Sequence, residues 1–232
     1  MANSGRLALI FASAFAALLL APAFLSFQFS PYDLVKWGDI VDLATPLVLL
    51  PLYWFLFQAG PRTPTVREVV AFLVLAALWV EGQGMHLGAN SIGHLVSETG
   101  TDLADLTHFY DEVLSHYLWH AGIMGLSALA VWREWRVQGA QGSVSLASLL
   151  PAAIIYGATF FVIVIEGATW PLGLPFAALV TIFGLTYARR SLMGRPLLSF
   201  FVGAHALTLV LFLAWAIVQG GLPEFSEVGI ID

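Results

Sequence analysis

Apolar runs of membrane-spanning length divide this chain of 232 residues from one end to the other. The hydrocarbon core of a bilayer is about 30 Å thick, so a helix needs roughly 20 apolar residues to cross it. Runs of that kind cover 7–27, 41–58, 69–88, 112–132, 144–168, 172–188 and 197–219. Lipid cannot hydrogen-bond to the backbone, so such a chain must satisfy its own N–H and C=O groups, as helices do. Only 10% of the residues are charged and the mean hydropathy is +0.85, whereas a soluble domain carries about 25% charged residues. The expected fold is an all-α integral membrane protein, a seven-transmembrane-helix bundle forming one domain. Ser30-Pro31, Gly60-Pro61, residues 139–142, Trp170-Pro171 and residues 194–196 are the turn signals between the runs.

The first run also imitates a signal peptide, with Arg6 ahead of it and Ala21-Pro22-Ala23 as a small-residue cleavage site. Apolar residues continue past that site to Phe29, which favours a retained helix. Arginine and lysine set the orientation, because short cytoplasmic loops collect them. If seven helices alternate, Arg6, Arg62, Arg67, Arg133, Arg136, Arg189, Arg190 and Arg195 all fall on one side and only Lys36 on the other. The N-terminus is therefore expected inside and the C-terminus outside. This suits a bacterial or archaeal plasma membrane. Asp33, Asp39, Glu98, Asp102 and Asp105 make the outer loops acidic. In the longest outer connection Ser97 and Thr101 are possible caps for a short surface helix.

The stretch 105–120, DLTHFYDEVLSHYLWH, carries the chemistry. His108, Glu112, His116 and His120 recur every four residues, so on a regular helix successive members drift by about 40° and rise about 6 Å. Imidazole and carboxylate groups bind metal ions, and a His pair at this spacing can face one ion. The topology adds Glu81 and His86 from the third helix, Glu166 from the fifth and His205 from the seventh. In EGQGMHLGANSIGH, residues 81–94, a second polar stripe joins Gln83, His86, Asn90 and His94. Glu81 lies about 140° from His86 on a regular helix, and a break at Gly82 or Gly84 would bring them together.

Imidazole and carboxylate without thiolate, in a chain lacking cysteine, suit zinc, iron, manganese or copper. The candidate ligands are His86, Glu112, His116, His120 and His205, with Glu81, Asp111 or Glu166 as general base. The divalent metal is expected to be zinc or iron. A haem with His120 and His205 as axial pair is the alternative cofactor. Net charge −6 argues against nucleic acid, which needs a basic patch. Lys36, in an outer loop, is the only lysine, so a retinal Schiff base within the membrane is excluded.

A seven-helix chain carrying Ser, Asp and several His resembles in architecture the alkaline ceramidase and adiponectin-receptor group of membrane metallohydrolases. That group has its closely spaced His pair on the last helix. Here the pair is His116 and His120 on the fourth helix, and the seventh has only His205, so no catalytic residue is carried over. The function expected from the residues is a metal-dependent membrane enzyme, hydrolase ahead of oxidoreductase, acting from the outside on a small or lipid-like substrate. The alternatives are a proton or metal-ion transporter using the same His and Glu, or a haem-holding subunit of an electron-transfer complex.

Overall fold

The computed structural model describes residues 4–59, 62–93, 95–96, 99–136 and 146–230. Helix α1 (Ser4–Leu20) ends in a 3-10 turn, Ala21–Phe24. A small antiparallel hairpin follows, β1 (Gln28–Phe29) with β2 (Tyr32–Lys36), Phe29 pairing with Tyr32. It feeds α2 (Trp37–Gln58), whose start is fixed by the Asp39 carboxylate accepting from Lys36 N–H at 2.7 Å. Helix α3 (Val66–Gly93) is continuous over 28 residues, without the break at Gly82 or Gly84 that would bring Glu81 and His86 together. The expected surface helix is α4 (Asp102–His108), capped by the Thr101 hydroxyl, which accepts from Ala104 N–H at 3.2 Å. Ser97 lies outside the described residues. A π-helical turn, Phe109–Leu114, joins α4 to α5 (Ser115–Trp135). Helices α6 (Leu146–Glu166), α7 (Trp170–Thr186) and α8 (Pro196–Gln219) complete the chain.

Helices thus stand at all seven apolar runs. Among the described residues, five are long and apolar enough to cross a membrane: Ser4–Phe24, Trp37–Gln58, Val66–Gly93, Leu146–Glu166 and Pro196–Gln219. Helix α7, with 17 residues, is shorter. Helix α5 turns His116, His120, Arg133 and Glu134 into the protein, and these polar residues keep its hydropathy down. The outward surface is apolar, with Leu47, Leu179, Val210 and Ile217 all exposed, as lipid contact requires.

Helices α3 and α5 make the most extensive pairing, followed by α1 with α6 and α6 with α8. Glycine permits the first. A Cβ on Gly82 would lie 2.5 Å from Trp119 N and 2.6 Å from Ser115 O, and one on Gly122 would lie 2.8 Å from both Leu75 O and Trp79 N. The two backbones therefore touch, as small residues allow in membrane bundles.

The core is aromatic. Phe11, Phe15, Tyr53, Tyr156, Phe160, Phe200 and Phe201 are almost fully buried. Inside it the hydroxyls of Tyr53, Ser127 and Tyr156 form a closed triangle of 2.9–3.0 Å contacts. Each group donates once and accepts once, which meets the need of a buried hydroxyl. At one end of the bundle Arg62 and Arg133 meet Glu68, while Arg195 donates to the carbonyls of Glu134 and Trp135. This is the basic end. The His- and carboxylate-rich groups lie toward the other.

Adding a methyl group where backbones touch forces the helices apart, at a typical cost of about 1–3 kcal/mol. Gly82→Ala and Gly122→Ala should each destabilise the protein by that amount in detergent unfolding. Gly84→Ala, whose Cβ would meet open space, should be neutral or slightly stabilising.

Candidate functional site

The π-helical turn rearranges the stripe expected from regular helical spacing. The N–H of Ser115 bonds to Tyr110 O, five residues back, so the turn is wider and each residue advances through a smaller angle. As a result Asp111 is buried, Glu112 is half-buried and His108 is exposed. His108 therefore departs from the line, and Asp111, expected one residue off it, faces inward.

His86 is the hub. Its Nδ1 lies 2.8 Å from Asp111 Oδ1, and its Nε2 lies 3.9 Å from Asp42 Oδ2. The shorter contact has the length of an ion pair. Asp42 is held from the side by Gln83, whose Nε2 donates to Oδ1 at 2.6 Å. Gln83 Oε1 in turn accepts from Trp79 Nε1 at 3.1 Å.

The ring of His116 is 4.9 Å from that of His86, centre to centre, and 6.0 Å from that of His120. Glu112 Oε2 comes within 3.7 Å of His116 Nδ1. The His120 ring stacks on Trp119 at 4.5 Å, and its Nδ1 is 2.6 Å from the Thr169 hydroxyl. Thr169 belongs to the tight link between α6 and α7. There Gly167 comes so close that a Cβ would lie 3.0 Å from His120 Cε1 and 3.1 Å from His116 Nδ1. Ala168 has φ +49°, a left-handed conformation. Such backbone is costly without glycine and is found where the surroundings enforce it.

The decisive feature is what stays unpaired. His116 Nδ1 and His120 Nε2 are buried and make no hydrogen bond, whereas His86 Nδ1 has the Asp111 carboxylate beside it. A buried polar atom left this way costs about 1–3 kcal/mol, and such groups normally signal a bound water or ion. Beside the site lies a cleft of about 360 Å³ whose lining includes Gly93, Thr107, His108, Asp111 and Glu112.

The C-terminal segment straps the neighbouring rim. Glu166 Oε2 accepts from Phe225 N–H at 3.0 Å and more weakly from Ser226 N–H at 3.4 Å. Phe225 packs on Phe161 and Trp215, and Trp215 Nε1 donates to Pro223 O at 3.0 Å. Burial, with Glu227, Glu166 and Glu112 adding repulsion, raises the carboxyl pKa of Glu224. Glu112, Glu166, Glu224 and Glu227 thus gather near one rim.

Five of the residues expected from sequence come together: His86, Asp111, Glu112, His116 and His120. Glu166 stands at the rim. Glu81 does not join them, because unbroken α3 leaves it exposed on another face. His205 is fully buried, but the rings of Tyr156, Phe160 and Phe176 surround it at 5.9, 5.1 and 4.9 Å. His94 lies outside the described residues. Sequence reasoning missed Asp42 and Thr169. Asp42 carried a usable signal, since a carboxylate within an apolar run is a functional candidate by default. Thr169 carried none.

As placed, no three His, Asp or Glu side chains among the described residues form a ready metal-holding group. No family model, curated protein or solved structure matches the chain.

Because its surroundings favour protonated Glu224, that residue's contribution is full at acid pH and is lost as pH rises through its elevated pKa. Glu224→Gln should remove this dependence. Hydrogen exchange at Phe225 and Ser226, corrected for intrinsic rates, should then be slower than in the wild type at neutral pH and equal to it in acid.

Proposed function

We propose that the chain is a seven-span membrane metalloprotein with its N-terminus in the cytoplasm, an enzyme whose centre opens outward through the cleft at Asp111 and Glu112. One observation carries this reading. His120 directs its Nδ1 at an orienting side chain, the Thr169 hydroxyl, and leaves its Nε2 buried without a hydrogen-bond partner, next to His116, whose Nδ1 is buried without one as well. Metal-ligating histidines have this character: one nitrogen is fixed by an outer partner while the other keeps its lone pair for the ion.

The donor set fits a divalent transition metal of the zinc or iron kind. His86, His116 and His120 would supply nitrogen, and Asp111 and Glu112 would supply oxygen. Ligation calls for small side-chain rotations that bring these groups onto one ion. A divalent ion held there would act as a Lewis acid and would make bound water acidic. Glu112, half-buried beside both the cleft and His116, is placed to move a proton between substrate and site. The apolar flanks of the bundle suit a small or lipid-like substrate, and hydrolysis is the reaction that needs the fewest further parts.

A second reading has its own support. The rings of His86, His116 and His120 follow one another in a line, with Asp42 and Gln83 extending it inward. Such a line can pass a proton without binding a metal.

Elemental analysis of protein purified without chelator separates the two readings. The metalloprotein account expects about one equivalent of a transition metal, lost in His86→Ala/His116→Ala while helicity is retained. Metal-free wild type, combined with proton uptake in liposomes that His116→Ala abolishes, would replace it with the relay.

A further inference from the structure

The basic end of the bundle holds a separate cavity of about 880 Å³, lined by Arg62, Arg67, Glu68, Trp132 and Arg136 together with Thr65 and Val66. Its only carboxylate is already engaged. Glu68 Oε2 accepts from Arg62 Nη1 at 3.1 Å, from Thr65 N–H at 2.9 Å and from the Thr65 hydroxyl at 3.0 Å. Arg133, buried behind the wall, reaches the same oxygen at 3.2 Å and also donates to Arg62 O. Arg62 Nη2 occupies the other oxygen.

Two guanidinium groups, those of Arg62 and Arg133, thus share the Glu68 carboxylate. Among the described residues, no carboxylate pairs with Arg67 or Arg136. Arg136 lies over the face of Trp132, 4.6 Å from the ring centre. Trp132 is itself 45% exposed, and tryptophan at a helix end marks the headgroup level of a bilayer.

We propose that this cavity is a binding site for the phosphate of an anionic phospholipid headgroup. Guanidinium matches phosphate oxygens in pairs, and the cavity has room for a phosphate and its attached glycerol. Arg62, held by Glu68 with Arg133 behind it, forms the back wall. Arg67 and Arg136 supply the charge still to be neutralised. The occupant is a lipid rather than free phosphate because Trp132 and exposed Val66 place apolar surface at the opening, where acyl chains would leave the headgroup. The site does not depend on the reading of the His cluster.

The test uses full-length protein in detergent and compares added phosphatidylglycerol, phosphatidylcholine and inorganic phosphate, read by thermal unfolding and by lipid retention in native mass spectrometry. Phosphatidylglycerol should raise the unfolding temperature and be retained preferentially, while inorganic phosphate should do little. Arg67→Gln/Arg136→Gln should lower that preference about thirtyfold, since each of the two basic groups near a lipid surface is worth about 1 kcal/mol. Its unfolding temperature in phosphatidylcholine should stay unchanged. Arg189→Gln/Arg190→Gln, which removes two exposed charges outside the cavity, should keep the preference. Equal response to the two lipids, an equal effect of inorganic phosphate, or an equal loss in the Arg189/Arg190 variant would overturn the proposal.

Discussion

Helices α3 and α5 touch backbone to backbone where Gly82 meets Ser115 and Trp119, and again where Gly122 meets Leu75 and Trp79. These contacts lie about one and a half helical turns apart, so they set both the separation and the rotation of the pair. His86 lies about one turn beyond Gly82, and His116 lies directly after Ser115. Close approach at the glycines is what lets two imidazoles from different helices stand 4.9 Å apart. A side chain at either glycine would spread the helices and separate the rings. Asp42 and Gln83 on one flank, and Thr169 on the other, then hold an arrangement that packing has already created.

Burial makes that arrangement chemically tense. Each imidazole is placed where water cannot freely replace a missing partner, and the neighbouring carboxylates make the region attractive to positive charge. A proton or a metal cation answers the same electrostatic demand, which is why the two functional readings share residues. The opposite end of the bundle has the opposite character. There guanidinium groups outnumber carboxylates, and Arg133 and Arg195 reach across to fix helix ends.

Much of this was legible in the sequence. Apolar runs located the helices because lipid tolerates little else, and Thr101 announced the cap of α4. The pairing of His116 with His120 followed from four-residue spacing, which survives because α5 is regular there. The inward turn of Asp111 was not legible. Periodicity assumes one angle per residue, and the π-helical turn at Phe109–Leu114 changes it. Glu81 stands apart from the cluster for a related reason: glycine permits a helix break without demanding one, and in α3 the glycine at 82 serves a close contact instead. His205 looked like a partner by depth along its helix. Depth does not fix direction, and its ring is committed to aromatic neighbours. Thr169 reaches His120 only through a strained link that no local pattern reports.

The meeting of His86 with His116 is the point at which fold and function join. Magic-angle-spinning NMR of histidine-labelled protein in lipid bilayers measures it directly. His116 and His120 share a helix and should be close in any regular α5, so the informative contact is the one between helices. The account predicts a cross-peak between the imidazoles of His86 and His116 in the wild type and its loss in Gly82→Val. Absence of that cross-peak in well-folded wild-type protein would contradict it.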